Sequence, residues 1–136
     1  MDLTLFLLLC LIFATRSYGK DLARRQTSSV SGHSERKCGS SMCVSATINA
    51  SAVEYVLSST GKQPLGWMGI GFGQWMANSP MVIMWANADG SVTLSQRTAP
   101  REIMPTVDPS PPRIATLSDV LTSVSNSTSS FGFTIP

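Results

Sequence analysis

From Cys43 onward the sequence is a series of short apolar or alternating runs, each closed by turn residues, and this punctuation favours antiparallel sheet. Val44-Ser45-Ala46-Thr47-Ile48 alternates apolar with polar. Tyr55-Val56-Leu57 is rich in strand formers and is closed by Ser58-Ser59-Thr60-Gly61. Gly66 to Phe72 sets Trp67, Ile70 and Phe72 in a glycine-rich strand. Met81-Val82-Ile83-Met84-Trp85 is a continuous apolar run, as expected of a strand covered on both faces. Asn87-Ala88-Asp89-Gly90 then predicts a turn with Asp-Gly at the positive-φ positions, and Ser91-Val92-Thr93-Leu94-Ser95 closes the hairpin. Ile114 to Leu117 and Phe131 to Ile135 read as further strands. A spacing of about ten residues between strands predicts a β-sandwich. Trp67, Trp85, Phe72, Tyr55 and Ile83 are the expected core.

Composition agrees. Ser and Thr make 33 of the 136 residues and charged residues only 13%, which disfavours a helical bundle, a coiled coil or full disorder. Pro100, Pro105, Pro109, Pro111 and Pro112 exclude a central strand after Arg97. Thr122 to Ser130 reads as a loop. The strand beginning at Phe131 meets the end of the sequence at Pro136, so the domain is expected to be incomplete at its C-terminus.

The N-terminus reads as an address. Leu3 to Ala14 is an almost unbroken apolar run, shorter than the roughly 20 residues that span a bilayer. Ser17 and Gly19 precede Lys20 at signal-cleavage spacing, so residues 1–19 are expected to be a signal peptide, although no Lys or Arg precedes the run. Lys20 to Lys37 is polar and basic, a disordered linker or a pro-segment with a dibasic Arg24-Arg25. The domain is expected over 38–136. No second apolar run predicts a transmembrane helix. Asn49-Ala50-Ser51 and Asn126-Ser127-Thr128 are glycosylation acceptors. Cys10 leaves with the signal peptide, and Cys38 and Cys43 remain as an even pair for a structural disulfide in a secreted, extracellular protein.

Charge and chemistry narrow the function. Six of the ten Lys and Arg lie in residues 16–37, while residues 38–136 carry four against five acids. A near-neutral domain lacks the basic face that nucleic acid demands. The single histidine is His33, outside the strand region, and the acids are scattered, so no nucleophile–base set is expected. Gly69-Ile70-Gly71-Phe72-Gly73 lacks the following helix of a dinucleotide loop; its glycines instead let backbone or a flat ligand come close. Met76 stands apart. Its thioether, in the loop Gly73-Gln74-Trp75-Met76-Ala77-Asn78-Ser79-Pro80, is soft and neutral and suited to axial ligation of haem iron. Met68, Met81, Met84 and Met104 read as core filler.

The order of Gly66-Trp67-Met68-Gly69-Ile70-Gly71-Phe72-Gly73, Met76, the Met81–Trp85 run and Asp89-Gly90-Ser91-Val92-Thr93-Leu94-Ser95-Gln96-Arg97 resembles the DOMON domain. The subgroup it is most similar to is the fungal extracellular cytochrome domain related to that of cellobiose dehydrogenase. The resemblance runs from Cys38 to Pro136. It implies an immunoglobulin-like antiparallel β-sandwich that binds b-type haem with Met76 as axial ligand; with only Met76, haem binding would rest largely on apolar burial against Trp67, Trp75 and Trp85 at the haem pocket. It also implies a non-catalytic electron-transfer module serving an extracellular redox partner or flavoprotein domain. The family's second ligand is a histidine on later strands, and no histidine follows Met76, so weak or no haem binding is expected. A second class of function is a haem-free carbohydrate-binding module that stacks polysaccharide on Trp75.

Overall fold

The computed structural model describes residues 32–61 and 64–136. The signal-peptide expectation for residues 1–19 lies outside them. The strands are β1 (Ser34–Cys38), β2 (Met42–Asn49), β3 (Ala52–Ser59), β4 (Trp67–Gly71), β5 (Met81–Ala86), β6 (Val92–Thr98), β7 (Thr106–Val107), β8 (Thr116–Leu117), β9 (Ser123–Val124) and β10 (Ser129–Ile135), with a 3-10 turn at Asp119–Leu121. They form two antiparallel sheets. One has the order β1-β2-β3-β10-β8, with β9 also paired to β10; the other runs β4-β5-β6-β7. Packed face to face, they make the expected β-sandwich.

Alternation fixes what each strand buries. Along β3 and β10 the pairs Leu57–Phe131 and Tyr55–Phe133 face inward. Opposite them, β4 and β5 bring Met68 against Met84. Leu57, Met68, Val82, Met84, Ala115, Phe131 and Phe133 form the buried core. Burial of each large side chain contributes roughly 1.5–3 kcal/mol. Tyr55 joins the layers: its ring stacks on Phe133 at 5.0 Å and meets Phe72 of the other layer edge-on at 5.4 Å.

Several expectations are corrected. β1 begins at Ser34, inside the stretch read as linker through Lys37. It is an exposed edge strand held by backbone pairing to β2, so its side chains carry no apolar signal. The disulfide Cys38–Cys43 closes that hairpin across directly paired residues, as expected. Thr122 to Ser130 is not all loop: it contains β9 and the start of β10. The strand at Phe131 does not lack partners, since β3 flanks it on one side and β8 and β9 on the other. Tyr55 and Phe72 pack on the core, but Trp67 is 66% exposed and Trp85 and Ile83 lie half-buried on the outer face. Met68, Met81 and Met84 are buried as expected, whereas Met104 is 85% exposed.

The β5–β6 turn also differs from the expected form. Among the described residues of that turn only Gly90 has positive φ, at 86°. Asn87 N–H donates to the Ser91 carbonyl at 2.8 Å, so the loop has three residues and ends in a glycine bulge. Hydrogen bonds from the Ser91 hydroxyl and amide hold the Asp89 carboxyl below the ordinary aspartate range.

Ser129 ties the crossover between the sheets. Its buried hydroxyl accepts from Leu65 N–H at 2.8 Å and donates to the Leu65 carbonyl at 3.1 Å. Ser129→Ala leaves both groups unpaired. We expect a loss of about 1–3 kcal/mol, read as a lower urea midpoint; an unchanged midpoint would show that water replaces the hydroxyl.

Candidate functional site

The same alternation that buries Met68 and Met84 turns Trp67, Gly69, Ile83 and Trp85 to the outer face of the four-stranded sheet. Trp67 lies opposite Trp85, and Gly69 opposite Ile83. Gly69 keeps this floor low: a Cβ there would press on Ile83 at 3.3 Å. On this face lies an open hollow of about 510 Å³, walled by Trp67, Ile83, Trp85, Arg97, Met104 and Pro105 among others.

Arg97 organises its far side. The guanidinium sits 5.9 Å from the centre of the Trp85 ring. Its Nε donates to Ser95 Oγ at 3.0 Å, and Nη1 donates to the Pro105 carbonyl at 3.0 Å. The second bond pins the end of the proline-bracketed segment 100–105 against the sheet.

Met76 is held by a closed loop. Phe72 N–H donates to the Pro80 carbonyl at 2.9 Å and shuts the loop's base. The Ser79 hydroxyl bonds the Trp75 carbonyl, and Ser79 N–H donates to the Met76 carbonyl at 3.3 Å. Asn78, at φ 57°, donates its N–H to the Ala99 carbonyl at 2.7 Å. Asparagine tolerates this left-handed position better than most residues. A side chain at Gly73 would overlap Ser79, so the tight base requires glycine. Met76 is 37% exposed and lines a second hollow of about 650 Å³ with Glu102, Ile103, Met104 and Pro105. The two hollows share Met104 and Pro105.

The structure thus places Met76 on one hollow and Trp67 and Trp85 on the adjoining one. Trp75 shares the Met76 loop but is 75% exposed and lines neither hollow. His33 precedes β1, at the edge of the other sheet, where its ring lies 3.4 Å from Glu35. It lines neither hollow. Asn49 and Asn126 are exposed, Asn49 at the end of β2 with its amide on Glu54, Asn126 in the turn before β10. Arg97 and Met104 were missed by residue-level reasoning. A methionine between Pro100 and Pro105, outside any alternating run, already signals exposure rather than core.

The donor set is soft. Among the described residues no group of three or more His, Cys, Asp or Glu is placed to hold a metal ion, and the sulfur donors at this surface are thioethers. Two thioethers, two indoles and one guanidinium line these two hollows. Among the described residues no helix is long and apolar enough to cross a membrane.

Fold and surface together define a β-sandwich with an apolar, thioether-bearing outer platform. Residues 22–134 match the family described as the cytochrome domain of cellobiose dehydrogenase, and the chain belongs to that family. The cytochrome domain of Myriococcum thermophilum cellobiose dehydrogenase shares the fold, with a TM-score of 0.55 and 21% identity. That match covers 76% of this chain and 54% of the other, so the chain spans about half the length of that relative. A search of curated proteins finds no match.

If Arg97 holds segment 100–105 in place, Arg97→Ala should speed amide hydrogen exchange there while β4 and β5 keep their protection. Equal exchange in both proteins would show that the segment is held by other contacts.

Proposed function

We propose that the chain is a secreted, b-type haem-binding electron-transfer domain, and that Met76 is an axial ligand. The observation that carries the reading is the closed loop that sets a part-exposed Met76 in a hollow adjoining the one walled by Trp67, Ile83 and Trp85, in a chain of the cytochrome-domain family. Haem, when bound, supplies a one-electron carrier. The residues do the rest. Trp67, Ile83 and Trp85 remove a flat apolar face from water. Arg97 offers a cation to a carboxylate, and Met76 offers a neutral sulfur that favours the reduced metal. The module makes and breaks no substrate bonds; its partner is an extracellular flavoprotein domain or other redox protein.

The proposal includes the organisation of the chain. Residues 1–19 are a signal peptide, and the linker is 20–33 once β1 is set at Ser34. Asn49 and Asn126 are glycan acceptors, and their exposure supports that reading.

The test is the absorption spectrum of the haem-loaded chain, oxidised and reduced. Added haem is expected to give a shifted Soret band that Met76→Ala weakens; sharp α and β bands on reduction would require a second ligand besides Met76. A Soret shift unchanged in Met76→Ala would remove Met76 from the ligand set.

A second reading has its own observation: Trp67 stands opposite Trp85 on an open sheet face, as a stacking platform for sugar rings would. This reading puts the platform on the Trp67–Trp85 pair rather than on Trp75. Cello-oligosaccharide should then quench or blue-shift tryptophan emission in the haem-free chain, and Trp67→Ala should remove the response. No response at millimolar sugar counts against it.

A further inference from the structure

We propose that the cavity between the two sheets, at the end away from the β5–β6 turn, binds a small aromatic carboxylate. This cavity shares no lining residue with the two outer hollows, so the inference stands apart from the haem reading.

The cavity lies where the inner apolar rows stop. On β6, Val92, Leu94 and Gln96 are spaced two apart and share one face, directly across from Ala86, Met84 and Val82 of β5. Val92 and Leu94 pack on the core, but the row ends in an amide. That amide reaches to the segment after the prolines: Gln96 Nε2 donates to the Arg113 carbonyl at 2.7 Å, and Oε1 accepts from Ala115 N–H at 2.9 Å. The Gln96 side chain therefore fixes the rim and does not fill the gap between the layers. A cavity of about 290 Å³ remains. The cross-strand pair Val53 and Ile135 lines it from the larger sheet, and Met81 and Val82 line it from the smaller one.

Toward the core the wall is aromatic. Tyr55 and Phe72 both line the cavity, with their rings edge-on at 5.4 Å, and Tyr55 stacks on Phe133 at 5.0 Å. A ring that enters here extends an aromatic cluster already in place. At the rim stands the exposed Arg113. Its Nη1 donates to the Pro136 carbonyl at 2.7 Å, which holds the guanidinium across the end of β10. Among the described residues its Nε and Nη2 have no partner, and no Asp or Glu side chain pairs with it. No acidic residue lines the cavity.

Size and chemistry set the class of ligand. A dry cavity of about 150 Å³ takes benzene, so this larger space takes one substituted ring or two fused rings. A sugar would set its hydroxyls unpaired against Val53, Phe72 and Ile135, and a cation would meet Arg113. A planar ring with one carboxylate suits both parts: the ring lies against Tyr55 and Phe72, and the carboxylate accepts from the open edge of the guanidinium.

The test titrates benzoate, cinnamate and naphthoate into the haem-free chain, read by calorimetry and by amide NMR shifts. Binding should shift the amides of Val53, Tyr55, Phe72 and Arg113. Arg113→Gln, a change at an exposed side chain, should keep the fold and weaken carboxylate binding about tenfold. It should leave the affinity for cinnamyl alcohol, the uncharged analogue of cinnamate, unchanged. Val53→Phe and Ile135→Phe each fill the cavity from one wall; either, where its melting curve shows a folded chain, should abolish binding of acid and alcohol alike. Three results would overturn the assignment: equal carboxylate affinity in Arg113→Gln, shifts centred on Trp67 and Trp85, or no heat and no shifts with any of the three acids at millimolar concentration.

Discussion

The architecture depends on β10 lying between β3 and the β8–β9 segment. This strand supplies Phe131 and Phe133 to the centre of the core and receives the stacked ring of Tyr55. Its partner β3 is 70 residues earlier at the Ser59–Ser129 hydrogen bond. The larger sheet therefore closes only after almost the whole domain has been gathered, which makes it a non-local fold. Tyr55 then passes the constraint to the other layer through Phe72, the residue at the base of the Met76 loop. Core packing and site geometry meet at that point.

The outer platform follows from burying the inner one. Strand alternation forces the neighbours of Met68, Val82 and Met84 outward, so a well-packed core leaves Trp67, Ile83 and Trp85 on the surface. Of these, Trp67 is the most exposed, while Ile83 and Trp85 are half-buried. Arg97 covers part of this face, lying over Trp85 and holding the segment that carries Met104.

Most strands were legible in the sequence because their apolar residues recur at period two and their turns carry Gly, Asn, Asp or Ser. β1 was not, because an edge strand bonds through its backbone and its Ser-Glu-Arg-Lys side chains report only solvent. The beginning of β10 was hidden for a related reason: Ser129 is buried, yet its hydroxyl is satisfied by Leu65, so a polar residue occupies a core position. The five-residue run Met81 to Trp85 was legible as a strand but not as to face. With apolar residues at every position, periodicity cannot say whether Trp85 or Met84 points inward.

By itself the sequence determined an antiparallel sandwich, a disulfide between neighbouring cysteines and a thioether on a glycine-based loop. These are local consequences: alternation, the short Cys38–Cys43 separation and the turn chemistry of Gly73 and Asn78 all act within a few residues. Only the tertiary structure decided which tryptophans face solvent, that Arg97 spans Trp85 and Pro105, and that Met104 shares a hollow with Met76. Those relations join segments from different strands and loops, and their geometry is set by which face of each strand the core consumes.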